Sequence, residues 1–64
     1  MKFSDRLKDI RERKNLTQEE LANLSGISAR SIQRYESGAS RPRVEATEKL
    51  AKALNVSVND ILGS

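Results

Sequence analysis

The sequence contains no cysteine, no histidine and no tryptophan, and its whole aromatic complement is Phe3 and Tyr35. Without thiols, neither disulfides nor thiolate metal sites can support the fold, which suits a reducing compartment. Without imidazole, the usual general base at neutral pH, the commonest metal ligand and the imidazole-dependent nucleophilic pairs are all missing. Two aromatics are too few for a platform on which single-stranded bases would stack. The carboxylates are scattered and no glycine-rich phosphate loop occurs, so the residue types argue against an enzyme and call for no cofactor, metal or small-molecule ligand. No run approaches the ~20 apolar residues of a membrane span, and the opening Met-Lys-Phe-Ser-Asp-Arg-Leu lacks the apolar stretch of a signal peptide. A soluble, cytoplasmic chain is expected.

What is present fits one small domain spanning residues 1–64. A chain of this length buries only about 60% of the surface that its unfolded form exposes, so its core must be small. The formal net charge of +3 is unevenly spread. Residues 1–14 carry +3, residues 15–25 carry −2, residues 26–43 carry +3 and residues 44–64 carry −1. Two basic blocks favour a polyanionic partner, although mild basicity alone is a weak signal.

Apolar residues recur with a helical rather than an alternating period, and the breakers fall between the segments. Phe3, Leu7 and Ile10 give a first helix that should end near Lys14-Asn15. Thr17-Gln18-Glu19-Glu20 is a Thr-x-x-Glu capping box, which satisfies free amides at a helix start and sets acids at its positive end. That second helix runs through Leu21, Ala22 and Leu24 to Ser25-Gly26. Ser28 is the N-cap of a third helix that continues to Ser37, with Gly38 as its stop. After a loop, Ala39-Ser40-Arg41-Pro42-Arg43, a fourth helix is outlined by Val44, Thr47, Leu50, Ala51 and Leu54. Ser57 and Asp60 cap a short fifth helix carrying Val58, Ile61 and Leu62.

Two short helices joined by a tight glycine-containing turn are the signature of a helix-turn-helix unit, here over about residues 17–37. On its second helix, about residues 28–37, Ile32, Tyr35 and Glu36 share the inward face, and Arg30, Arg34 and Ser37 lie opposite. Arginine matches the two acceptors on a guanine edge, and an alanine near the helix start, such as Ala29, can touch a thymine methyl. The blander account of the same arginines is a solvated helix surface. Glu36 shares a face with Ile32, where a lone carboxylate is costly, so it needs a partner. Arg11, next to Ile10 and four residues after Leu7, borders the inner face of the first helix; surface positions for both are the alternative.

Leu16-Thr-Gln-Glu-Glu-Leu-Ala22, Gly26-Ile-Ser28, Ile32-Gln-Arg-Tyr-Glu36, Gly38 and Leu50-Ala-Lys-Ala-Leu54-Asn-Val-Ser57 together resemble the phage repressor and Cro family (XRE-type) of helix-turn-helix proteins. The resemblance covers essentially the whole chain. It implies an all-α, lambda repressor-like bundle of five helices, and a dimeric bacterial or phage-encoded, nucleoid-associated regulator of transcription that lays its third helix in the major groove. Ala29 and Arg30 stand where some relatives carry glutamines, so no operator sequence carries over. By the same resemblance Ala29, Arg30, Gln33 and Arg34 would read bases, and Arg11 and Glu36 would form a buried ion pair. Gln18 would clamp a phosphate beside the free amides of a helix start. Thr17, Ser28, Ser37, Arg41 and Arg43 would complete the backbone grip, Arg41 and Arg43 from a loop that could also reach the minor groove, with capping or a solvated loop as their alternative roles. Lys2, Lys8, Arg13 and Lys14 are assigned no role.

The resemblance also places dimerisation in the C-terminal region, where Val58, Ile61 and Leu62 are more apolar residues than a terminal helix needs in order to dock on so small a core. The expected partners are a palindromic double-stranded DNA operator and a second copy of the chain, held in a weak dimer, with no membrane. The reading from a different class is a helical protein-interaction module, such as an antitoxin or regulatory partner domain, whose arginines serve only solubility.

Overall fold

The computed structural model describes residues 2–63, and its local structure follows from the caps. Helix α1 (Phe3–Arg13) has no side-chain cap but carries Asp5 in its first turn and Arg11 and Arg13 in its last, the polarity that complements a helix dipole. Helix α2 (Gln18–Ser25) starts at a reciprocal capping box. Thr17 Oγ1 accepts from the Glu20 amide at 3.0 Å and Glu20 Oε1 accepts from the Thr17 amide at 2.9 Å. Helix α3 (Ala29–Ser37) begins where Ser28 accepts from the Ser31 amide, at 3.1 Å. Helix α4 (Val44–Leu54) leads through Asn55, in the left-handed region at φ 58°, to α5 (Val58–Leu62). There Ser57 and Asp60 repeat the reciprocal box. The hydrogen bonds from the Ser57 backbone and side chain hold the Asp60 carboxyl below its usual pKa.

The five helices close over one core, to which every helix contributes: Leu7 from α1, Leu21 from α2, Ile32 from α3, Leu50 and Leu54 from α4 and Ile61 from α5 are fully buried. Complete burial of each such side chain is worth roughly 1.5–3 kcal/mol. Phe3, Ile10, Leu16, Tyr35, Val56 and Val58 pack around this centre. Thr47, also buried, satisfies its hydroxyl by donating to the Arg43 carbonyl at 2.9 Å. Helix α3 is held against α1 and α2, while α5 is held by α1 and α4, so the unit formed by α2 and α3 shows its outer side to solvent.

Two expectations change. Ile61, grouped above with Val58 and Leu62 as an interface residue, is wholly enclosed by its own chain, because the fifth helix is needed to seal α1 against α4. Only Leu62, 42% exposed, and the half-buried Val58 remain for a partner. Val44, the first of the residues whose period outlines the fourth helix, is 77% exposed, because that helix starts with it and the buried side begins at Thr47.

The turn between α2 and α3 depends on Gly26, whose φ of 75° is in the left-handed region. A side chain there would meet no atom within 4 Å, so a substitution costs backbone strain alone. For Gly26→Ala that strain is about 1 to 2 kcal/mol, and the melting temperature of a domain this size falls by roughly 4 to 8 °C per kcal/mol. Gly26→Asn, which tolerates this conformation better, should recover part of the loss in thermal melts followed by circular dichroism.

Candidate nucleic-acid interface

Because Ile32 is buried, the opposite side of α3 is solvated, and Arg30, Gln33, Arg34 and Ser37 are exposed along it with Ala29 half-buried at its start. The first turn of α2 approaches the same side. Gln18 and Glu19 together with Ala29, Arg30, Gln33 and Arg34 line one open groove between the two helices. Among the described residues neither Arg30 nor Arg34 forms a salt bridge, so both guanidinium groups are uncommitted.

Behind this groove lies a charge network. Arg11 and Glu36 side chains are 10% and 4% exposed and meet in a two-pronged contact. Arg11 Nε donates to Glu36 Oε2 at 2.6 Å and Arg11 Nη2 donates to Glu36 Oε1 at 3.0 Å. Arg11 Nη1 donates to the Leu16 carbonyl at 2.6 Å, and Gln18 Nε2 donates to Glu36 Oε1 at 3.1 Å. The hydrogen bond to Glu36 raises the Arg11 pKa above its ordinary value, opposed by burial and supported by the charges of Glu36 and Glu12. Planar, charge-assisted pairing of this kind fixes geometry as well as energy. Gln18 is thus oriented from behind, with one amide hydrogen spent on Glu36 and the other, with its carbonyl oxygen, left for the groove.

The remaining candidates occupy two settings. Thr17, Ser28 and Ser37 are exposed, and each hydroxyl already serves its own helix end. Thr17 and Ser28 accept from amides, Ser28 Oγ also pairs with Ser31 Oγ at 2.9 Å, and Ser37 Oγ donates to the Arg34 carbonyl at 3.1 Å. Arg41 and Arg43 are exposed on the loop after α3. Arg41 lies over the Phe3 ring, 5.6 Å from its centroid, a cation–π contact that ties the loop to α1. Arg43 is the N-cap of α4 through its backbone, and its side chain is free of salt bridges among the described residues.

Sequence reasoning passed over two features. Glu19 was read only as a helix-start acid, yet it borders the arginine groove; its position next to Gln18 on the turn that faces α3 was the available signal. The Gln18–Glu36 hydrogen bond joins residues 18 apart, and no local pattern announces it. Chemically, the surface offers cations, amide donors and one acid around a groove. Among the described residues no cluster of acids could hold a metal ion.

Comparison with known proteins places this geometry. The helix-turn-helix family model matches residues 7–61. The cryptic phage CTXphi transcriptional repressor RstR of Vibrio cholerae serotype O1 is 40% identical over 63 residues, which are 98% of this chain and 56% of the relative. The transcriptional activator BcrR of Enterococcus faecalis is 36% identical over 62 residues, which are 97% of this chain and 30% of the relative. The chain thus spans about half or less of these relatives' length. Among solved structures, the restriction-modification controller protein C.AhdI from Aeromonas hydrophila superposes with a TM-score of 0.90 at 34% identity, covering 92% of this chain and 89% of that one.

A domain of 64 residues has on the order of 3 to 10 kcal/mol of stability. Removing one partner of a buried ion pair costs about 3 to 5 kcal/mol, because the survivor is left uncompensated. Glu36→Ala should therefore come close to unfolding the domain in urea titrations at neutral pH. A shift of only a few tenths of a kcal/mol would show that the pair carries no such burden.

Proposed function

The chain belongs to the helix-turn-helix family, and on that footing we propose that it is a sequence-specific double-stranded DNA-binding regulator of transcription, acting as a repressor without catalytic activity. The observation that carries this reading is the pair of uncommitted guanidinium groups, Arg30 and Arg34, on the solvated side of α3 beside the amide-rich start of α2. In the major groove Arg34 and Arg30 address guanine edges, Gln33 addresses an adenine edge and Ala29 a thymine methyl. Gln18, held by Glu36, points its second amide hydrogen at a phosphate. The α2 N-terminus with Thr17, and the α3 N-terminus with Ser28, add backbone donors there. Ser37, Arg41 and Arg43 grip the phosphates flanking the reading helix. No helix of the described residues is long and apolar enough to cross a membrane. Double-stranded DNA as the target is what supports placing the proposed regulator at the nucleoid in the cytoplasm.

The backbone of the described domain extends at most 26 Å, less than one turn of duplex (~34 Å), so one such domain fits a single half-site. We propose a weak homodimer through α5, with Val58 and Leu62 as its apolar contacts, on a palindromic operator. The RstR resemblance supports repression, and the activator BcrR shows that a similar domain also serves the opposite outcome.

Selection of bound duplexes from a random pool tests the reading and delivers half-site, symmetry and spacing together. On the selected site, Arg34→Ala should weaken binding roughly 5- to 150-fold, since a bidentate base contact is worth about 1 to 3 kcal/mol. It should also relax the preference at one base pair of each half-site. Arg43→Ala should weaken selected and scrambled duplex alike and make the salt dependence shallower by about one phosphate contact per protomer. Equal losses on both duplexes for Arg34→Ala would remove that side chain from base reading.

For the dimer, Leu62→Asp should leave the affinity for an isolated half-site unchanged and abolish the gain from adding a second. Titrations of single and paired half-sites by fluorescence anisotropy measure both. An undiminished gain would move the interface elsewhere.

A further inference from the structure

The arginine groove holds one group of the wrong sign for a polyanion. Glu19 is exposed and lines the groove with Arg30 and Arg34, and together with Ala29 it also lines the neighbouring depression around Gly26 and Ser28. Gln18, tied to Glu36, does not line that depression. The two side chains leave α2 about 100° apart, so Gln18 serves the Glu36 end of α3 and Glu19 the Ala29 end. Structural duties do not account for this acid. The capping carboxylate of α2 is that of Glu20, which also complements the helix dipole. Helix α2 carries no basic residue, and Ala22 and Asn23 occupy the positions three and four after Glu19 where a cation could pair with it. Among the described residues Glu19 forms no salt bridge, with the groove arginines or with any other cation.

We infer, on the footing of the DNA reading above, that Glu19 is a base-discriminating residue, accepting a hydrogen bond from the exocyclic amino group of a cytosine at the Ala29 end of α3. A carboxylate in the major groove finds two kinds of donor, cytosine N4 and adenine N6. Adenine sets its N7 acceptor beside that donor, and an ionised carboxylate has no proton to offer it. Cytosine presents the donor alone, so cytosine is selected. Ala29 contributes only a methyl group to the groove, where a longer side chain would stand between Glu19 and the bases. Toward phosphates, and toward the acceptors of guanine and thymine, the same charge is repulsive. Arg30 and Arg34 attract any duplex, whereas Glu19 counts against every duplex that lacks its donor, and specificity is a difference of this kind.

The test is selection of duplexes from a random pool by the intact chain, by Glu19→Gln and by Glu19→Ala. The intact chain should select cytosine at one position of each half-site, and replacing that base should cost roughly fivefold or more in affinity. Glutamine can donate to adenine N7 while accepting from N6, so Glu19→Gln should pass the preference at that position to adenine, and Glu19→Ala should leave none. Both variants should bind a scrambled duplex roughly threefold or more tightly at low salt, because one like charge has left the interface. The position is exposed and the α2 cap is untouched, and melts followed by circular dichroism check that the variants stay folded. Cytosine retained by either variant, or equal gains on selected and scrambled duplex, would overturn the assignment, the second result leaving Glu19 as simple repulsion. Arg34→Ala tells the two possible failures apart. Loss of a base preference in Arg34→Ala with none in the Glu19 variants removes only Glu19 from base reading, whereas a pool from which the intact chain selects nothing removes the DNA reading and Glu19 with it.

Discussion

The contact between Arg11 and Glu36 is the directional element on which the arrangement of the helices depends. Six large apolar side chains supply adhesion, but burial of hydrocarbon is non-directional and tolerates sliding and rotation. The ion pair does not. Its two prongs, together with the Arg11 bond to the Leu16 carbonyl, hold α1, the chain entering α2 and the last turn of α3 at set distances. Two opposite charges nearly removed from water are costly apart and affordable only together, which makes the assembled geometry far more favourable than any partly opened one.

The same carboxylate reaches the surface through Gln18. One side of Glu36 thus answers to the core and the other to the groove, so the side chain at the start of α2 is oriented by the packing of α3 against α1. Reading surfaces work best when their side chains arrive already placed, since ordering on contact detracts from affinity. Arg41 shows the same economy on a smaller scale. Resting on Phe3, it is restrained by α1 although it projects from a loop.

The helices and their ends were legible because their determinants are local. Thr17 with Glu20, Ser57 with Asp60, Ser28, Gly26 and Gly38 each act within a few residues, and the structure uses every one of them as a cap or a turn. The inward face of α3 followed from its period, and Ile32 is indeed at the centre of the core. What escaped was three-dimensional. Ile61 and Leu62 are adjacent apolar residues on one short helix, and only the position of α1 decides that the first is enclosed and the second left out. Val44 fits the period of α4 but precedes its contact with the rest of the chain. The exposure of Leu24 was equally invisible, since a leucine three residues from Leu21 reads as core by pattern alone.

The local origin of the helix ends also bears on how quickly the chain finds its structure. Caps and turns that form from neighbouring residues need little loop closure, and helical proteins rich in such short-range contacts fold in microseconds to milliseconds. Among the costly searches, which join distant parts of the chain, are α5 returning to α1 and Arg11 finding Glu36 across 25 residues. Because the second of these delivers two charged groups into an apolar interior, it is favourable only once the surrounding helices already exclude water. The ion pair therefore belongs late on the folding path, where it acts on the rate of unfolding more than on the rate of folding.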